Sequence, residues 1–289
     1  EAIIDKNGCV ILSCVQRKNE KVIKQEHADP VLLEVFNNLF MSIAEQMGVK
    51  LQQTARSVNI KERLDFSCAI FDSNGDLIAN APHTPVHLGS MDRSVASVIQ
   101  AHPVMHKGDV FATNEPYNGG THLPDITVIT PVFDEKQTKP IFFVASRGHH
   151  ADIGGTAPGS MTPRATHIED EGVILNNIKL VSEYRFLYED IFQIITENKY
   201  PCRNPEQNIA DLKAQIAANE KGVLELNSMV SQFSFKAVEA YKGHIQDYAE
   251  NCIRRMISEI NDGKAEIYFD QGCKISVSIT VDKTKKTVI

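Results

Sequence analysis

The sequence runs to 289 residues, with 30 Lys plus Arg against 37 Asp plus Glu and a formal net charge of −7. Its 42% hydrophobic and 23% charged content excludes a disordered chain, and the acidic balance excludes a basic face for nucleic acid or anionic lipid. No run approaches the roughly 18 apolar residues of a membrane-spanning helix, and no secretory leader pattern opens the chain. The six cysteines are scattered without a Cys-x-x-Cys pair, so reduced thiols in the cytoplasm are expected.

In chain order, Ala2 to Asp5 reads as a strand, Lys6-Asn7-Gly8 as a turn and Cys9 to Leu12 as the returning strand of a hairpin. A polar tail through Lys21 to Glu26 reads as a linker. Asp29-Pro30 is a helix start, with Asp as the cap and Pro at the first helical position. Leu32, Leu33, Phe36, Leu39, Phe40, Ile43 and Met47 then recur at helical spacing, and Gly48 ends or loosens that helix. From about 58 to 175 the sequence predicts short β runs. Cys68 to Phe71 and Leu77 to Ala79 flank a turn at Asp72-Ser73-Asn74-Gly75, and Ile126 to Phe133 and Ile141 to Ala145 are buried strands of a central sheet. Residues 206–260 hold no proline and read as helical. One face carries Ile209, Leu212 and Ile216; a later one carries Val238, Tyr241, Ile245, Tyr248, Cys252 and Met256. Beyond it Ile275, Val277, Ile279 and Val281 alternate as in a strand, a turn follows at Asp282 to Lys285, and Thr287 to Ile289 begin another. A sheet with such an apolar face needs further strands to bury it, so the sequence reads as a segment of a longer polypeptide. The expected fold class is mixed α/β, of the α+β kind: a β-rich, loop-bearing site region with a helical hairpin. No strand order is derivable.

Eight of the ten histidines fall between residues 83 and 167, a loop-rich stretch of the kind that carries sites. Asn114 to Asp125 places His122 and Asp125 three apart, just before the strand Ile126–Phe133. Ser146 to Gly155 places His149 and His150 just after the strand Ile141–Ala145. If these strands pair antiparallel, His122, Asp125 and His149 converge, and two imidazoles with a carboxylate are the donor set of a catalytic divalent metal. The plainer alternative is a hydrogen-bonded His–Asp pair at a strand start and a histidine capping a strand end. Gly154 to Ser160 is glycine-rich without the lysine of a P-loop, so a tight turn is expected, though its amides could cradle an anion. Neither His-Glu-x-x-His nor Gly-x-Ser-x-Gly occurs. Cys68 sits in an apolar strand and reads as a core thiol. Lys61 to Asp65 is either a solvated turn or an Arg63–Asp65 pair aimed at a substrate carboxylate or phosphate.

Phe40 to Gly48, Asn59 to Ala69, Pro85 to Met91, Gly119 to Asp125, Ala145 to Gly155 with Pro158-Gly159-Ser160-Met161, and Asp211 to Asn219 together resemble the hydantoinase B/oxoprolinase family. The resemblance covers about residues 29–289. Residues 2–12 are similar to the tail of the family's hydantoinase A half, and the continuous join resembles the fused, single-chain oxoprolinase type. The resemblance implies residues 1–26 as the end of an A-like half plus linker and 27–289 as the N-terminal part of a B-like half. Within that part lie a site region at 27–205, the helical hairpin at 206–260 and the start of a further β region at 261–289. It implies ATP-dependent hydrolysis of 5-oxo-L-proline to L-glutamate, with ATP and magnesium bound by the A-like half and this segment inactive alone. The related acetone carboxylase holds a metal on a His-x-x-Asp and a later His. By motif this implies His122, Asp125 and His149 as ligands, His149 being preferred to His150 because it follows the glycine of the matching Gly-His, and a zinc, manganese or iron ion. Arg63 and Asp65 are then substrate contacts, and Asp152 or His150 supports the ligands. A homo-oligomer is expected. The alternatives are an N-methylhydantoinase or acetone-carboxylase-like subunit with another substrate, or a non-catalytic scaffold half.

Overall fold

The computed structural model describes residues 28–87, 89–134 and 138–288, and the backbone of two short strands before them. Those strands, β1 (Ala2–Ile4) and β2 (Val10–Leu12), pair antiparallel with Ala2 opposite Leu12. The turn and linker expected around them lie outside the described residues.

Helix α1 (Pro30–Thr54) starts where the sequence signals it: the Asp29 carboxylate accepts hydrogen bonds from the amides of Val31 at 2.8 Å and Leu32 at 3.4 Å. It runs through Gly48 without a break, burying Phe36, Phe40, Ile43, Met47 and Leu51. A short α2 (Val58–Lys61) leads into β3 (Phe66–Asp72) and β4 (Leu77–Asn80), joined by the expected turn. Helix α3 (Met91–Ala101) follows, then β5 (Val110–Thr113), β6 (Asp125–Val132), β7 (Phe142–His149), β8 (Ile178–Ser182) and β9 (Arg185–Phe186). Three helices complete the body: α4 (Tyr188–Thr196), α5 (Pro205–Phe233) and α6 (Phe235–Glu259). Two small hairpins close the described chain, β10 (Gly263–Tyr268) with β11 (Lys274–Ile279) and β12 (Val281–Asp282) with β13 (Thr287–Val288).

Mixed α/β architecture is as expected, but the expectation that no strand order can be given is corrected. Strands β3 to β9 form one seven-stranded antiparallel sheet in the order β4-β3-β7-β6-β5-β8-β9. Only β3–β4, β6–β7, β5–β6 and β8–β9 join neighbours in sequence. The pairings β3–β7 and β5–β8 are long-range ladders that no local pattern encodes.

Both faces of the sheet are covered, so β3 and β6 are buried at every residue. On one face Phe36, Phe40 and Met47 of α1, Leu226 of α5 and Tyr241 of α6 pack on Phe66, Cys68, Ile70, Phe142 and Val144. On the other, Met91, Val95 and Val98 of α3 pack on Ala69, Phe71, Ile129, Phe143 and Ala145. Burying each such large side chain contributes about 1.5–3 kcal/mol. Helix α5 lies close to α1 because residue 222 is glycine: a Cβ there would sit 2.5 Å from the Met47 sulfur.

Two expectations about helices change. The region from 58 to 175 contains α3, although only β runs were expected there. The apolar face foreseen on α6 holds for Val238, Tyr241 and Ile245, whereas Tyr248, Cys252 and Met256 are exposed. The β10–β11 hairpin is exposed at every residue. Its register places Ala265 opposite Val277 and Ile267 opposite Ile275, on one apolar face. Among the described residues no helix is long and apolar enough to cross a membrane.

Candidate metal centre

The site grows out of the register of three strands. Strand β6 begins at Asp125 and β7 ends at His149, and the ladder pairs these two residues directly. On the other side of β7, β3 places Ser67 opposite Arg147, and the His149 amide bonds the carbonyl of Asp65 at 3.0 Å. Since side chains alternate along a strand, Ser67, Asp125, Thr127, Arg147 and His149 all point to the face that α3 covers.

Asp125 is the hub. Its Oδ1 lies 3.0 Å from His149 Nδ1, and its Oδ2 lies 3.2 Å from His122 Nδ1 and 3.4 Å from His87 Nε2. Thr121 Oγ1 donates to the same Oδ2 at 3.3 Å. The far side of the His87 ring is held by Ser67 Oγ, 2.8 Å from Nδ1. One donor atom from each of His122, Asp125 and His149 lies within 4.8 Å of the others. The carboxylate is buried, whereas the His122 side chain is 40% exposed, so the cluster opens to solvent on that side.

Burial works to raise the Asp125 pKa, but the imidazoles of His122, His149 and His87 win and hold it far below the usual carboxylate range. The hydrogen bond to Asp125 in turn raises the His122 pKa. Beneath the cluster, Arg147 is fully buried and its guanidinium is met by hydroxyls: Nε by Thr127 at 2.8 Å, and the terminal nitrogens by Ser90 at 2.5 Å and Ser94 at 2.8 Å. Burial lowers its pKa to about 10 against the pull of Asp125 and Asp92, so it stays cationic at neutral pH. His83 is pushed down to about 4 by burial and by His87.

Each expected site residue has a definite place. His122, Asp125 and His149 come together. Asp65 stands at the margin, its Oδ2 4.0 Å from His149 Nδ1. The Arg63 side chain is exposed and joins no ion pair among the described residues. Asp152 accepts from Arg203 at 2.7 Å and from the amides of Gly154 and Gly159, both at 2.9 Å. Those amides of the glycine-rich turn therefore do hold an anion, the chain's own Asp152 carboxylate. His150 faces α5, away from the cluster. Cys68 is a core thiol whose pKa burial drives far up. No role was expected for His87 or Arg147; their partners come from remote strands and helices, so nothing in the local pattern points to them.

Two imidazoles and one carboxylate, Asp125 and His149 on strand ends and His122 on the loop just before β6, with one open side, form a nitrogen–oxygen donor set that fits a divalent transition ion.

The Hydantoinase B/oxoprolinase family profile matches residues 29–289. The chain is 41% identical over 310 residues to 5-oxoprolinase 1 of Arabidopsis thaliana, covering 99% of this chain and 24% of that protein. It is 44% identical over 271 residues to 5-oxoprolinase of Dictyostelium discoideum, covering 90% and 21%. Among solved structures, ATP-dependent caprolactamase from Pseudomonas jessenii is similar with a TM-score of 0.77 at 25% identity, over 89% of this chain and 45% of its own. A nucleotide-free acetone carboxylase shares the fold with a TM-score of 0.78 at 15% identity, over 93% and 38%. The chain thus spans about a fifth to a quarter of the length of these curated relatives.

Proposed function

The chain belongs to the hydantoinase B/oxoprolinase family, and on that premise we propose that it is part of an ATP-dependent 5-oxoprolinase, carrying the metal site of the B half. The reaction opens 5-oxo-L-proline to L-glutamate while ATP goes to ADP and phosphate. ATP and magnesium belong to an A-like half joined ahead of residue 27, in a homo-oligomer. The match to the Arabidopsis protein supports the fused arrangement, because its 99% coverage takes in residues ahead of the B-like segment.

A lactam is resonance-stabilised, so its carbonyl carbon resists water until the amide oxygen has received a phosphoryl group. The steps assigned to this segment are addition of water to that activated carbon, cleavage of its bond to nitrogen with a proton passing to the amine to leave an acyl phosphate, and hydrolysis of that acyl phosphate by a second water to the carboxylate and free phosphate. His122, Asp125 and His149 hold the ion, with His87 steadying the carboxylate from behind. A bound divalent ion supplies Lewis-acid polarisation and a water of lowered pKa. Asp65, at the margin, and the exposed Arg63 contact the substrate. The convergence of two imidazoles on the two oxygens of one buried, ionised carboxylate carries this reading.

The test is metal content by plasma mass spectrometry and ATP-dependent glutamate formation in the full-length protein, beside a His122→Ala plus Asp125→Ala variant. About one ion per chain is expected, with both metal and glutamate formation lost in the variant. Glutamate formation at the parent's rate in that variant would sink the reading.

One observation favours a second substrate, a neutral lactam. A cavity of about 300 Å³ borders His87 and Ser67, lined by Ala69, Phe71, Ala81 and Met91, with Asp92 and no lysine or arginine among its described lining. Such a wall suits ring carbons and repels a carboxylate. Comparing 5-oxoproline with 2-pyrrolidinone as substrates separates the two.

A further inference from the structure

Helix α5 turns an unusual face to the sheet. Asn208, Asp211, Gln215 and Asn219 recur at spacings of three and four, so they share one side of the helix, and each is at most 4% exposed. A stripe facing a core is ordinarily apolar. Asp211 accepts from the amides of Arg56 at 2.7 Å and Ser57 at 3.2 Å, between α1 and α2, whereas the three amide side chains grip the backs of the strands that bear the cluster or the segment just after β7. Gln215 Nε2 donates to the carbonyls of Ile126 in β6 and Ser146 in β7, both at 2.9 Å, and its Oε1 meets His150 Nε2 at 3.1 Å. Asn208 Nδ2 bonds the Asp152 carbonyl at 2.8 Å and His150 Nδ1 at 3.2 Å. The His150 amide completes the clasp on the Pro124 carbonyl at 2.8 Å. The amide orientations follow from their carbonyl partners, so the fully buried His150 donates through Nε2 and accepts at Nδ1.

We propose that this clasp, Gln215 and Asn208 closing on His150, is a positioning device for the metal centre. Pro124 and Ile126 flank Asp125, and His150 follows His149, so most of the atoms gripped lie one residue from a ligand. The clasp fixes the strand ends from behind while the ligands converge in front. Asn219 provides an internal contrast: it bonds the carbonyls of Val128 at 3.0 Å and Val144 at 3.5 Å, farther along the same strands. The proposal rests on the metal reading above.

The test uses the full-length protein, loaded with cobalt(II), with affinity measured by chelator competition and geometry by the visible ligand-field bands. Gln215→Met keeps the volume and removes the bonds. It is expected to weaken cobalt binding about 10–100-fold and to alter the bands. Asn219→Leu is expected to lower the melting temperature comparably while leaving affinity and bands as in the parent. Asn208→Ala, a milder change at the helix start, is expected to move affinity in the same direction by less. Unchanged affinity and bands in Gln215→Met, or in Asn208→Ala should the first not fold, would overturn the proposal. If the parent itself binds no cobalt, the metal reading falls and the clasp with it.

Discussion

The two faces of the central sheet bury polar groups in opposite ways. On the α5 face Gln215, Asn208 and His150 are matched to backbone carbonyls or to one another, and of the same stripe only Asp211 Oδ2 and Asn219 Oδ1 are left without a hydrogen-bond partner among the described residues. On the α3 face three imidazoles and a threonine converge on a single carboxylate, and one of those rings is open to water. The first arrangement rigidifies. The second concentrates negative charge under donors that a cation can take over. Burial alone therefore does not distinguish scaffold from site; what matters is whether the partners are spent on the backbone or gathered at one point.

The largest effect expected on this contrast comes from Arg147→Ala. It opens a cavity and strands the hydroxyls of Thr127, Ser90 and Ser94, so the α3 face should lose about 3–4 kcal/mol of stability. Urea unfolding measures this, and a loss below about 1 kcal/mol would mean that the hydroxyl cradle relaxes or takes up water. Gly119→Ala comes next. Residue 119 has φ +89°, and a Cβ there would lie 2.5 Å from the Arg93 carbonyl oxygen of α3. Strain and overlap together should cost about 2 kcal/mol and lift the loop that presents His122; a thermal midpoint equal to the parent's would show that this loop is not pinned to α3.

The smallest effect is one of pH. His83 ordinarily titrates near 6.5 but near 4 in the fold. Below about 6.5 the unfolded chain therefore takes up a proton that the folded chain refuses. Stability attributable to His83 is constant above that pH and falls as pH drops toward 4. Comparing urea midpoints at pH 7.5 and 5 in the parent and in His83→Gln isolates this term, and an equal acid loss in both would exclude it.

Much of this architecture was legible in the residues, for local reasons. Asp29-Pro30 marks the start of α1, Asp72 to Gly75 marks the β3–β4 turn, and the His122–Asp125 spacing points at one partner of the cluster. What stayed hidden depends on distant contacts. Met91, Val95 and Val98 do recur at helical spacing, but Asp92, Arg93, Ser94 and Ser97 between them and the prolines around them mask α3. Gly48 looks like a helix end, yet packing against the sheet carries α1 through it. His87 becomes part of the site only because β3 and β6 bring Ser67 and Asp125 to either edge of its ring. Strand order has the same origin, since β3 meets β7 through a ladder with no trace in either segment alone.

The pairing of Asp125 with His149 has a consequence for how the protein reaches its fold. Strand β6 turns Ile126 and Val128 toward one helix layer and Ile129, beside Asp125 and Thr127, toward the other, so its apolar residues alone, present on both sides, would tolerate a one-residue slip against β7. Such a slip reverses every side chain of the strand. It would carry the Asp125 carboxylate to the α5 side, where Ile126 and Val128 pack with Ile209 and Leu212, and away from His87, His122 and His149, at a cost of several kcal/mol. The same charge that equips the site for chemistry therefore proofreads the alignment of the two strands that build it, and a misthreaded chain is penalised before it can pass for a finished one.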